Sequence, residues 1–98
     1  MQKINLPTQY QDDIDKAVRI LKNGGCKDIF LFGSVSEGEF NKGSDIDLAI
    51  KGCPRGNFFH LLGKLLFELE NSVDLVNLDN KDAFTNYLEN SGELRRIA

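Results

Sequence analysis

Basic charge is scarce in this 98-residue sequence: twelve Lys and Arg stand against fifteen Asp and Glu, for a net charge of -3. That balance excludes a polybasic surface gripping nucleic acid by phosphate neutralisation. It leaves open a nucleotide ligand whose charge is handled by metal ions. Long apolar runs are missing too. Met1 to Gln11 has no apolar leader core, and the most apolar stretch, Phe58 to Leu69, is interrupted by His60, Gly63, Lys64 and Glu68, so neither a signal peptide nor a membrane span is expected. Cysteine is limited to Cys26 and Cys53, without a CxxC pair or a His at zinc spacing, and two reduced thiols in a cytoplasmic protein are the default expectation. The single histidine, His60, has no partner motif and reads as a solvent-edge side chain. Only two Pro accompany nine Gly, and with 41% apolar and 28% charged residues this argues against a disordered, collagenous or repeat chain. The length suits one domain, residues 1–98, with a core over about 10–90 and a tail over 93–98 that frays or docks elsewhere.

From Thr8 to about Asn23, Tyr10, Ile14, Ala17, Val18 and Leu21 recur at helical spacing, and Asp12/Lys16 and Asp15/Arg19 pair at i,i+4. This predicts an amphipathic helix, stopped by Gly24 and Gly25. Ile29 to Phe32 is a short apolar run that reads as a buried strand ending at Gly33, and Ser34 to Ser44 is a polar, Gly-containing connection. Asp45 to Lys51 alternates as a strand does: Asp45, Asp47 and Ala49 on one face, Ile46, Leu48 and Ile50 on the core face. A second helix is expected from about Asn57 to Glu70, with Phe58, Leu62, Leu65 and Leu69 as its spine and Leu61 and Leu66 beside it. Val73 to Leu78 reads as a third strand. Asn80 can cap a last helix through about Asn90, with Phe84, Tyr87 and Leu88 facing inward and Gly92 as its stop. The order predicts a small α/β (α+β) domain with a mixed sheet of three or so strands flanked by helices.

One feature is more than such a domain needs. Asp45 and Asp47, two residues apart on a strand, put both carboxylates on the same face about 6.6 Å apart. At an effective dielectric of about 20 they repel by about 2.5 kcal/mol, and Asp is depleted in strands. Asp74 is a single acid in the apolar run of the third strand, and it converges on the pair if strands two and three are neighbours. Three carboxylates on one patch of sheet either hold raised pKa values or bind hard cations, and oxygen-only ligands point to Mg²⁺ or Mn²⁺. The bland alternative is a set of solvating charges that protect a sheet edge. Phe32-Gly33-Ser34 joins a strand end to a polar turn where backbone N–H groups and a hydroxyl can approach a phosphate. A P-loop is excluded, because Glu39 and Phe40 occupy the positions of its Lys and Ser/Thr, and the residues after Asp47 do not fit an EF-hand.

Taken in order, Gly33-Ser34, then Asp45-Ile46-Asp47 starting eleven residues after Ser34, then the distant Asp74 resemble the nucleotidyltransferase superfamily of DNA polymerase β. The segments Leu31-Phe32-Gly33-Ser34 and Gly43-Ser44-Asp45-Ile46-Asp47-Leu48 look most like its minimal nucleotidyltransferases, over roughly residues 10 to 90. The resemblance implies a polymerase-β-like fold and a two-metal phosphoryl-transfer site. In it Asp45, Asp47 and Asp74 are catalytic and hold two Mg²⁺ ions, with Mn²⁺ as a substitute, and Gly33 and Ser34 contact the β/γ-phosphates. It further implies transfer of AMP from ATP to a hydroxyl of a HEPN-family partner, as the antitoxin of a toxin–antitoxin pair. The alternative is a catalytically weak or inactive antitoxin that acts by binding. A free-standing transferase for a small alcohol or aminoglycoside would need a substrate lobe that these residues do not supply. The oligomeric state is open. Contact surfaces could include Phe58, Phe59 and Leu94 to Ile97, although packing in the helix core also accounts for the Phe pair.

The sequence departs from its relatives in one place: Glu37 stands about where many of them carry Arg, and Glu39 adds further negative charge. Lys42 can reach back towards a triphosphate, or serve only as a solvated loop charge. Glu37→Arg is therefore expected to tighten ATP binding in a Mg²⁺-containing titration; an unchanged affinity would mean that Glu37 points away from the site.

Overall fold

The computed structural model describes residues 8–33 and 45–98. In chain order its elements are helix α1 (Thr8–Asn23), strands β1 (Asp28–Phe32) and β2 (Ile46–Lys51), helix α2 (Phe58–Glu68), strand β3 (Val73–Asn77), helix α3 (Ala83–Ser91) and strand β4 (Arg95–Arg96). The four strands form one mixed sheet in the order β3-β2-β1-β4. β1 runs antiparallel to β2 and β4, and β2 runs parallel to β3. A parallel neighbour needs a long crossover, and α2 supplies it.

Alternation divides the side chains between two layers. Ile29, Leu31, Ile46, Leu48 and Ile50 pack on one face with Tyr10, Ile14, Ala17 and Leu21 of α1 and Leu61, Leu65 and Leu69 at α2. On the opposite face a smaller cluster joins Phe32, Ala49 and Leu78 to Leu88 of α3. The expected tail is part of the sheet: the Ile97 N–H donates to the Ile29 carbonyl (2.9 Å), the Ile29 N–H donates to the Ala98 carbonyl (3.1 Å), and Arg96 pairs with Asp28 at 2.9 Å. Ile97 is buried, so it contributes to the core and not to a free contact surface.

Several expectations need correcting. The buried spine of α2 is Leu61, Leu65 and Leu69; Leu62 is half-buried, and Leu66 and Phe59 face solvent. A leucine-rich helix offers apolar residues at nearly every angle, and contact with α1 selects the stripe. In α3, Leu88 and Thr85 are buried while Phe84 and Tyr87 are exposed. The cap of that helix is Asp82 and not Asn80: the Thr85 N–H donates to Asp82 Oδ1 (2.8 Å), and the Asp82 N–H donates to Thr85 Oγ1 (3.1 Å), a reciprocal capping box. Cys26 and Cys53 are joined by a disulfide and are not separate thiols. The β1–β2 register, Asp28 opposite Lys51, continues two residues outwards to set Cys26 opposite Cys53.

Asp13, which has no visible partner in the sequence, is buried in α1. Its carboxylate accepts from the backbone N–H groups of Glu70 (3.1 Å) and Asn71 (2.8 Å) and from Asn71 Nδ2 (2.8 Å). It ties the first helix to the turn that launches β3. Asp13→Ala leaves buried donors unpaired, and a loss of about 2–4 kcal/mol is expected, read as a lower urea midpoint at constant slope.

Candidate active site

Two neighbouring strands bring the acidic residues together. Asp47 lies on β2, partly buried, and its register partner on the parallel neighbour β3 is Asp74, which is exposed. Adjacent strands lie about 4.8 Å apart, so the two carboxylates leave the same face side by side. Asp45, exposed just before β2, is two residues from Asp47 and shares that face. The expected convergence of Asp74 on the Asp45/Asp47 pair is thus realised by parallel pairing. On the other side of Asp47 the partner is Phe32 of β1, followed at once by Gly33.

Gly33 has φ +78°, a backbone conformation that side chains rarely adopt. A Cβ at this position would collide with Asp47 Oδ2 and lie 3.0 Å from Asp47 Cγ. Glycine is required here by close approach: the Asp47 carboxylate rests against the chain just past β1. Ser34 and Lys42, together with Glu37 and Glu39, lie outside the described residues.

The electrostatics follow from this packing. The Asp47 carboxyl is pushed up from 3.8 to about 6, first by burial, then by repulsion from Asp74 and from Asp45. All the donors are carboxylate oxygens, the set that suits a hard divalent cation, and a cation between them would relieve the repulsion. Among the described residues no three His, Cys, Asp or Glu side chains are placed so that together they could hold a metal ion. The donors fit such an ion by chemistry and by shared face.

The structure also adds a feature that sequence reading missed. Phe84 of α3, half-exposed, packs edge-on against Phe32 with ring centroids 6.4 Å apart, extending an aromatic surface beside the carboxylates. A helical pattern read alone turned Phe84 into the core.

A carboxyl whose pKa is raised on folding binds protons more readily in the folded state, so metal-free stability falls as pH rises from about 4 to about 6. Asp47→Asn removes that dependence. It is expected to stabilise the metal-free protein at pH 7 by about 1 kcal/mol, a rise of about 4–8 °C in Tm, after allowance for solvent screening. Thermal unfolding of both proteins across this pH range provides the check.

The geometry agrees with what the chain resembles. The family described as Polymerase beta, Nucleotidyltransferase matches residues 15–94. No curated protein matches in sequence. Among solved structures, a toxin–antitoxin crystal structure with AMP-PNP is 26% identical over 84% of this chain and 69% of its own, with a TM-score of 0.67. The MntA-HepT toxin-antitoxin structure is 23% identical, with a TM-score of 0.62 over 88% of this chain and 69% of its own. A complex of tri-AMPylated Shewanella oneidensis HEPN toxin with MNT antitoxin is 24% identical over 91% of this chain and 71% of its own, with a TM-score of 0.64. The latter two share the fold. With the family matched across most of its length and three carboxylates on one sheet face beside a required glycine, the chain belongs to the polymerase β nucleotidyltransferase family.

Proposed function

We propose that residues 1–98 act as one metal-dependent nucleotidyltransferase domain that moves AMP from ATP to a hydroxyl of a HEPN-type partner protein, as the antitoxin of a toxin–antitoxin pair. The observation that carries this reading is the placement of Asp47 between Asp74 on β3 and the Gly33 backbone just past β1, with Asp45 on the same face. Asp45, Asp47 and Asp74 are the residues that would hold two Mg²⁺ ions, with Mn²⁺ as a substitute. When bound, the ions supply charge neutralisation of the triphosphate and activation of the acceptor hydroxyl. The backbone at Gly33, with Ser34 and Lys42 from the following connection, orients the β/γ-phosphates. The acceptor hydroxyl gives up its proton to solvent as its oxygen bonds to the α-phosphorus, the bond to the bridging oxygen breaks, and pyrophosphate leaves.

The structural neighbour with AMP-PNP supports a nucleoside triphosphate as the donor, and the neighbour complexes support a HEPN-type partner. Among the described residues no helix is long and apolar enough to cross a membrane. A cytoplasmic location is part of the same reading, and the Cys26–Cys53 disulfide weighs against it. The second reading, an antitoxin that only binds, is favoured by one observation, Glu37 in place of a cation.

Incubation with labelled ATP, Mg²⁺ and the product of the adjacent reading frame separates the two. Label on the partner is expected, lost with EDTA and lowered at least about 100-fold by Asp47→Asn or Asp74→Asn. A tight complex that never carries label establishes the binding-only antitoxin instead.

A further inference from the structure

The end of the sheet away from the carboxylates is unused by the nucleotidyltransferase site, and it carries the two cysteines of the chain. There the turn from α1 into β1, residues 24–27, meets the turn from β2 into α2, residues 52–57. Asn57 Nδ2 donates to the Gly24 carbonyl (3.3 Å), the Lys27 N–H donates to the Lys51 carbonyl (3.1 Å), and Lys22 Nζ donates to the Lys27 carbonyl (2.6 Å). A Cβ at Gly24 would collide with Leu61, and one at Gly25 would lie 2.8 Å from Pro54. Hydrogen bonds and close packing thus hold the two turns together, and the β1–β2 register sets Cys26 opposite Cys53. The disulfide joins sulfurs that the fold already brings face to face. Opening it leaves both thiols in place to close it again.

The two sulfurs are not equivalent. Cys26 is 3% exposed and belongs to the core cluster, whereas Cys53 is part-exposed, in a turn with Pro54, Arg55 and Gly56 at the surface. Thiol–disulfide exchange needs a thiolate to reach one sulfur while the other leaves. We propose that Cys53 is a thiol-exchange site for a low-molecular-weight thiol and its disulfide, with the buried Cys26 as the resolving thiol. In opening, the small thiolate attacks Cys53 Sγ, the Sγ–Sγ bond breaks, and Cys26 departs as a thiolate that takes a proton from solvent. A second small thiolate attacks the small molecule's own sulfur in the mixed disulfide. The small disulfide leaves, Cys53 is freed, and two electrons have passed to the protein. Closing runs the same steps backwards: the Cys53 thiolate opens the small disulfide, and Cys26 then displaces the small thiolate from Cys53. A pair that opens and closes is also the kind of disulfide that a reducing compartment admits. The cysteines are 27 residues apart, and the segment between them contains β1, Gly33, Asp45 and Asp47. Closing the bond restricts the unfolded chain. Asp47 is separated from Cys53 by about 20 Å of extended strand, so exchange adjusts the persistence of the fold and leaves the carboxylates as they are.

Equilibration of the full chain in glutathione buffers of varied thiol-to-disulfide ratio, followed by acid quenching, alkylation and intact-mass measurement, tests this. The open-to-closed ratio is expected to rise with the square of the thiol concentration over the disulfide concentration, and to reach the same value from the oxidised and the reduced side. Peptide mapping of the quenched wild type places the mixed disulfide on Cys53. With glutathione disulfide alone, Cys26→Ala takes up one glutathione, and Cys53→Ala does so at least about tenfold more slowly. The reduced wild type keeps its circular dichroism and unfolds cooperatively, with a Tm lower by about 8 °C or more. A pair that stays closed at every ratio overturns the proposal, as does an open protein that does not close again. Mixed disulfide on Cys26 as readily as on Cys53, or loss of the folded state on reduction, overturns it equally.

Discussion

The parallel pairing of β2 with β3 is the constraint on which the site depends. A slip of one residue would turn Asp74 into the core beneath the sheet and leave Asp47 beside an apolar neighbour. The register is held from both sides. Ile46, Leu48 and Ile50 are fully buried against α1 and α2, so the strand cannot shift without exposing them. Asp13 fixes the start of β3 by holding the Glu70–Asn71 turn against the first helix. A buried carboxylate on the first helix thereby helps to position the acidic cluster on the sheet.

The antiparallel β1 completes the arrangement from the other edge of β2. Phe32 opposite Asp47 brings the strand end and Gly33 to the same point, so a glycine backbone and three acids meet where the sheet runs out. The site is costly to the apo fold: burial and two neighbouring acids keep Asp47 above its ordinary value. That cost is offset by the apolar packing underneath, and ligand binding can recover it. Repulsion within the carboxylate cluster is the cost that a bound cation would relieve.

Much of this was legible in the chain. Alternation assigned Asp45 and Asp47 to one face of a strand, and the apolar runs located the elements to within a few residues. The misassigned residues share a cause. In α2 a run rich in leucine satisfies helical periodicity at several rotations, and only contact with α1 chooses Leu61 over Leu62 and leaves Leu66 and Phe59 outside. Phe84 and Tyr87 follow the pattern of an inward face, yet the helix buries Thr85 and Leu88 and leaves these two exposed. Asp13 looked like one more acid of a solvated helix, because its donors are 57 and 58 residues away and two of them are backbone groups, which no sequence pattern displays.

The sequence by itself determined the chemistry on offer: hard oxygen donors at strand spacing, a Gly-Ser turn before them, and an acidic balance unsuited to a nucleic-acid groove. These are properties of residue type and of short-range period, which survive without knowledge of neighbours. The tertiary structure decided which donors meet. Parallel rather than antiparallel pairing set Asp74 beside Asp47, β1 set Cys26 opposite Cys53, and the tail became an edge strand through hydrogen bonds to Ile29. Each is a contact between distant segments whose free energy comes from burying both at once, and a linear pattern contains only one side of it.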